Sequence, residues 1–370
     1  MRLSSSNHTR RAAVWRRQII LTALAFSCGL LAGPLRAQFV YVVNQGGQNI
    51  SGYNLNPANG ALTPLATSPF PAGKAPNGIA IDPASRFAYV VNTVDSTVSG
   101  YKIDDKTGAL TTIPGSPFRT GASPTAVVVD RLVRFVYVTN ENDGTMSAYS
   151  MDAKTGELTQ VHDSPFRTGN EPLAIAADPK ARFLYVTNEP DNTVSAFSID
   201  AGTGALTKVS GSPFPTGNFP LGVATNPTGT LLYVANLTVN SVSGYSIDRK
   251  DGILTPLTTS PFPTGTSPVS IAIDPNGKFA YVANNSDSTV TGYTIDPKTG
   301  ALAQVPGLPF PTGSGPTSVA VDPSGQFCYV VNYDDNTVSA YSIDCAGILA
   351  PVSGGPFPAG TNPNGIAITK

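Results

Sequence analysis

An all-β fold, a seven-bladed β-propeller of four-stranded blades, is predicted by three features of the sequence. A Tyr-Val-x-Asn run that begins at Tyr41 recurs at Tyr89, Tyr137, Tyr185, Tyr233, Tyr281 and Tyr329, each 48 residues after the last. Each unit holds four short runs rich in β-branched and aromatic residues, separated by Gly, Pro, Asn and Asp, and no amphipathic helical period follows residue 37. The chain finishes on Pro363-Asn364-Gly365-Ile366-Ala367-Ile368, a copy of the run that opens every other unit but is missing before Tyr41. Small antiparallel sheets repeated about a central channel satisfy all three observations. The C-terminal strand then pairs into the N-terminal blade and closes the ring, which removes an open sheet edge.

Residues 1–37 read as a secretory signal peptide. They carry six arginines and no acid, pass through an apolar run over 19–31, and end Leu35-Arg36-Ala37. That run is short for a bilayer span and nothing later approaches the length of one, so a product that does not span a membrane is expected. Export to the periplasm or the cell exterior follows, with residues 38–370 forming a single propeller domain. The whole chain carries a formal charge of −1; without the six arginines, 17 basic and 24 acidic residues remain, a charge of −7. An acidic surface of that kind disfavours nucleic acid and anionic membrane as partners. A monomer is expected.

Residues 77–120 serve as the type unit. The apolar run 78–81, closed by Asp82-Pro83, reads as a buried inner strand ending in a turn. A second strand over 86–91 ends at Asn92, a third spans 97–103, and a fourth spans 109–113 after the turn 104–108. Gly52, Gly100, Ala148, Ala196, Gly244, Gly292 and Ala340 share one place in the third strand, which predicts close approach of another blade there. The seven Tyr-Val-x-Asn asparagines are equivalent copies, and equivalence favours turn capping over metal ligation. Pairing Asn332 with Thr337 sets Cys328 opposite Tyr341 and leaves Cys345 out of register, too far for a disulfide, so both cysteines are expected to be unpaired.

The motifs resemble those of a known family. Tyr-Val-Thr-Asn at 137–140 and 185–188, the Asp-Pro-x-Gly turn at 322–325 and Thr-Gly-Ala-Leu at 107–110 are similar to the repeats of the seven-bladed lactonase-type propellers. That family includes enzymes similar to 6-phosphogluconolactonase and a cycloisomerase acting on carboxymuconate, and surface proteins with YVTN repeats are close relatives. The resemblance covers essentially all of the chain after residue 37. It implies the propeller fold and, for the enzymes, histidine, glutamate and arginine working near the channel. The motifs belong to strands and turns, so they specify the fold more tightly than the chemistry.

Within a repeat protein, a position that is bland in most units and distinctive in one or two is a candidate site. Loops joining second to third strands share a face with the loops joining one blade to the next, and the inner strand starts on that face. After the Tyr-Val-x-Asn asparagine come Gln45, Thr93, Glu141, Glu189, Leu237, Asn285 and Tyr333. Before the proline that opens the inner strand come Ala75, Ser123, Glu171, Phe219, Ser267, Gly315 and Asn362. Three of the chain's four glutamates fall in these two sets. Arg119 and Arg167 stand where other units have proline, and Lys74 lies in a neighbouring interblade loop.

Opening a lactone with water needs a base for the water proton and a cation or donor for the oxyanion. Glu171, Glu141 or Glu189 fit the first role and Arg167 or Arg119 the second, with Lys74, Phe219 and Tyr333 as substrate contacts. The same charges also read as solvated loop residues in ion pairs worth about 1 kcal/mol or less. His162, the sole histidine after residue 37, falls at the end of an outer strand and reads as rim decoration, so none occupies the loop face where the resemblance implies one. No zinc-spaced His/Cys cluster, glycine-rich phosphate loop or Ser-His-Asp signature occurs, and no metal or cofactor is expected. Two functions remain: an exported lactonase-like enzyme acting on a sugar or related carboxylic lactone, or a non-catalytic envelope or extracellular propeller binding a glycan or protein.

Overall fold

The computed structural model describes residues 37–370, so the expected signal peptide, apart from Ala37, lies outside the described residues. Those residues form seven antiparallel sheets and no helix. Neighbouring inner strands touch around the whole circle, from Pro76–Ile81 through to Pro363–Ile368 and back, so seven blades surround one channel.

In the second blade the order from the channel outward is Pro76–Ile81, Phe87–Asn92, Thr97–Ile103 and Leu110–Thr112. A fifth strand, Phe118–Arg119, pairs back on the start of the third through Thr97↔Arg119 and Val98↔Phe118. The expected four-stranded path is present in each blade, and the two-residue fifth strand is an addition beside it with a physical reason. The third strand is seven residues long and the three-residue fourth strand covers only its second half. Without the fifth segment, the other half would expose unpaired N–H and C=O groups at the sheet edge.

Closure is as the C-terminal repeat implied. Val40 pairs with Ile368, Tyr41 with Ala367 and Val42 with Ile366. Beyond the strand, the Thr369 N–H donates to the Phe39 carbonyl at 2.9 Å, and the Phe39 N–H donates to Thr369 Oγ1 at 2.7 Å. Cys328 lies opposite Tyr341, and both described cysteines, Cys328 and Cys345, are free.

The small residue of the third strand has a different cause from the one expected. A Cβ on Gly100 would come within 2.5 Å of Ile113 Cδ1, and one on Gly52 within 2.8 Å of Leu65 Cδ1 and 2.9 Å of Phe70 Cε2. These neighbours belong to the same blade, whose outer hairpin folds back over its own third strand. The backbone of one blade meets that of the next at the inner strand instead. There Gly78 would meet the Thr125 carbonyl oxygen at 2.9 Å, and Gly365 the Asn77 carbonyl oxygen at 2.6 Å. Positions 78, 126, 174, 222, 270, 318 and 365 hold only Gly, Ala or Ser.

The recurrent tyrosine is an interblade fastener. Tyr41 donates from its hydroxyl to the carbonyl of Gly108 in the next blade, and the pattern continues around the ring to Tyr329 and Gly60, at 2.6–3.2 Å. Gly108 has φ +69° and lies flat on Phe39, so Thr-Gly-Ala-Leu is a docking surface as well as a turn. Each phenol is fully buried, and a satisfied buried hydrogen bond contributes about 1 kcal/mol.

Candidate functional site

The loop face is built on a sevenfold frame. In the second blade, buried Asn92 donates from Nδ2 to Thr97 Oγ1 at 3.0 Å and Ser99 Oγ at 2.9 Å, while its Oδ1 accepts the Gly73 N–H at 3.0 Å. A Cβ on Gly73 would come within 2.5 Å of Asn92 Cγ, which is why glycine precedes each interblade loop. All seven asparagines donate from Nδ2 to the residues five and seven places on, and in the first four blades Oδ1 also accepts the loop glycine N–H, so the variation lies on either side of them.

The residue after each asparagine donates its N–H to the carbonyl of the residue before the inner-strand proline. Glu141 donates to Ser123 at 3.0 Å and Glu189 to Glu171 at 3.2 Å. The two variable positions are thus one backbone hydrogen bond apart in every blade. All seven pre-proline residues have positive φ, from +45° at Glu171 to +63° at Gly315. Gly315 and Asn362 suit that region, whereas a residue such as Glu171 or Phe219 is held there at a cost of about 1 kcal/mol. The frame imposes this conformation on every blade, so it does not by itself single out Glu171.

Between the third and fourth blades an open polar depression of about 550 Å³ is lined by Glu141, Glu171 and Arg167, together with Asp143 and Asp191. The two aspartates are part of the frame: Asp143 Oδ2 accepts the Ala122 N–H at 2.7 Å and Asp191 Oδ2 the Asn170 N–H at 2.8 Å, as Asp95 and Asp335 do for other loops. The glutamates have no such backbone partner among the described residues. Burial, followed by the Glu171 carboxylate, raises the Glu141 pKa above the usual range. Burial, then the charges of Glu171 and Glu141, raises Glu189. Glu189 does not line the depression but is electrostatically joined to the two that do. Arg167 is exposed and forms no ion pair among the described residues.

The other sequence candidates lie elsewhere. Arg119 belongs to the second blade's fifth strand and does not line the depression; its carbonyl accepts the Tyr149 hydroxyl. Lys74 is exposed, with its N–H bonded to Asp95. Phe219 is exposed at the start of the fifth blade. Tyr333 donates its hydroxyl to Gln45 Oε1 at 3.0 Å, bridging the seventh blade to the first, on the far side of the ring from Glu171. His162 stands on the rim, 93% exposed beside Asp163.

One distinctive residue escaped the sequence reading. In six blades the third-strand tyrosine donates to the carbonyl of the preceding blade's fifth strand, as Tyr101 does to Pro71 at 2.8 Å. In the fourth blade that position is Phe197, so the Arg167 carbonyl lacks the phenol that ties every other strap. Comparing the third-strand position across repeats, as was done for the loops, would have revealed it.

Comparison with known proteins places these features in context. A family model described as Lactonase, 7-bladed beta-propeller matches residues 35–219 and 212–309. No curated protein matches the sequence. Among solved structures, a proposed 6-phosphogluconolactonase from Bacteroides uniformis superposes with a TM-score of 0.79 at 20% identity, over 90% of this chain and 100% of that one. One from Bacteroides fragilis gives 0.78 at 19%, over 90% and 98%. A periplasmic gluconolactonase from Pseudomonas aeruginosa gives 0.76 at 18%, over 90% and 99%. At such identities the likeness is one of fold.

Proposed function

This chain belongs to the lactonase family of seven-bladed β-propellers, and from that premise we propose that it is an exported hydrolase that opens a sugar or related carboxylic lactone in the depression between its third and fourth blades. The observation that carries this reading is that Glu141, Glu171 and Arg167, which has no ion pair among the described residues, line one depression, with Glu189 electrostatically joined to both glutamates. Glu171, adjacent to both other glutamates, takes the proton from water as its oxygen adds to the lactone carbonyl carbon. Arg167 holds the resulting oxyanion with its N–H groups. The ring C–O bond then breaks, and Glu141, which keeps its proton to higher pH than an ordinary carboxyl, protonates the leaving oxygen. The product is an open hydroxy acid. Export is supported by the composition of residues 1–37 and by the likeness to a periplasmic gluconolactonase.

A pH-stat assay of purified protein over a panel of sugar and aliphatic lactones tests this proposal. Glu171→Gln is expected to lower kcat by about 100-fold or more, and Arg167→Ala to lower kcat/KM by a similar factor. Absence of turnover on every lactone would exclude the enzyme and leave a binding role for the same face. Turnover untouched by both substitutions would move the site elsewhere.

A further inference from the structure

The channel has a second mouth, on the face opposite the glutamates, where the inner strands end. The residue following each inner strand's closing Asp, Asn or Thr is Pro83, Pro179, Pro227, Pro275 and Pro323 in five blades. In the other two it is a cation: Arg131 in the third blade and Lys370 in the first. Proline at this place opens the turn after the strand, and Arg131 keeps that turn without it. Its Asp130 still accepts the Phe135 N–H at 3.0 Å and the Arg134 N–H at 2.5 Å, as Asp82 does in the second blade. The exchange of Pro for Arg therefore serves no visible need of the turn.

Both cations line one cavity of about 520 Å³ at this mouth, whose walls include Ile273, Val321 and Ile368 at the ends of three inner strands. The Lys370 backbone is fixed by a 2.8 Å hydrogen bond from its N–H to Ser85 Oγ. Neither cation is ion-paired to a carboxylate among the described residues. Burial, and secondarily the Arg131 charge, lowers the Lys370 pKa, as expected where two like charges share a partly enclosed space. Two cations without an ion-pair partner among the described residues, beside apolar walls, are complementary to an anion carrying an apolar body: the guanidinium offers a planar fork for a carboxylate, the ammonium a second charge, and the strand ends a dry surface for the remainder.

We propose that this far mouth of the channel is a binding site for a small organic carboxylate, separate from the depression between the third and fourth blades and independent of catalysis there. Calorimetric titration with benzoate, acetate and inorganic phosphate tests it on the protein comprising residues 38–370. Benzoate is expected to bind at one site, several-fold tighter than acetate or phosphate because only it reaches the apolar walls. Arg131→Pro, which installs the residue five blades already use, should weaken benzoate by about tenfold or more, and Lys370→Met should also weaken it. Arg131→Gln guards against an effect of the new proline on folding and should reproduce the loss, whereas Glu171→Gln should leave benzoate binding unchanged. No saturable benzoate binding, or binding unaltered in all three mouth variants, would overturn the site. Phosphate or acetate binding as tightly as benzoate would overturn the assignment to an anion with an apolar body.

Discussion

At the scale of single residues, the loop-face glutamates make a prediction through their proton affinity. Burial and the neighbouring carboxylates raise the pKa values of Glu141 and Glu189 in the folded protein. A carboxyl whose folded pKa exceeds its unfolded value, about 4.3, holds more protons folded than unfolded between the two. Stability therefore falls as pH climbs through that window, and the loss is complete above the folded values. Glu171→Gln removes a carboxylate that both groups feel, so both pKa values drop back toward the ordinary range. The melting temperature at about pH 8 should rise by about 1 °C relative to the unsubstituted protein, with little change at about pH 4, since exposed like-charge contacts are worth a few tenths of a kcal/mol. Scanning calorimetry at the two pH values checks this, and an equal shift at both would refute the electrostatic origin. Comparison among repeats was enough to pick out these glutamates. It did not reveal that Arg167 lines their depression while Arg119 does not, because the two occupy the same place in different blades and only one of those blades borders Glu171.

At the scale of the strand, the repeat was legible in its periods and less so in its contacts. The third strand, Thr97–Ile103, and its pairing partners follow from alternation and turn residues, whereas a two-residue fifth strand such as Phe118–Arg119 is too short to show any period. The fastening role of Tyr89 was also hidden, since its partner Gly156 lies 67 residues away in the next blade. The same holds for the small third-strand residue, whose neighbour Ile113 is brought back by the blade's own outer hairpin. Phe197 offers a direct test of strap tying. Phe197→Tyr should supply the missing hydrogen bond to the Arg167 carbonyl and stabilise the protein by about 1 kcal/mol, equivalent to about 1–2 °C in Tm for a ring of this size. A lowered Tm would show that the fourth blade cannot accept the phenol that six others contain.

At the scale of the whole molecule, closure by the last strand makes the ring a single cooperative unit. Residues 363–370 complete the first blade, cover the edge of the strand bearing Tyr41, and place Gly365 against the second blade's inner strand. Deleting them exposes that edge and opens the ring, so Tm should fall by well over ~10 °C or folding should fail, because many buried contacts and hydrogen bonds are lost together. Circular dichroism melting of the truncated chain reads this, and an unchanged Tm would contradict the closure. The ring as a whole was readable from the sequence because each repeat states the same strand order and the two ends are complementary.

The division of labour between frame and function suggests the most direct test. Where the seven repeats agree, they hold the ring together; the proposed chemistry sits where the third and fourth depart from the rest. Returning those departures to the residues of other blades, as Glu141→Thr, Arg167→Pro and Glu171→Ser in one protein, installs side chains already present at the same positions as Thr93, Pro71 and Ser123. Initial rates on the best lactone substrate, measured together with Tm, are expected to show turnover at the uncatalysed background and a Tm within about 3 °C of the original. Retained turnover in this repeat-like variant would contradict the assignment of function to the depression between the third and fourth blades.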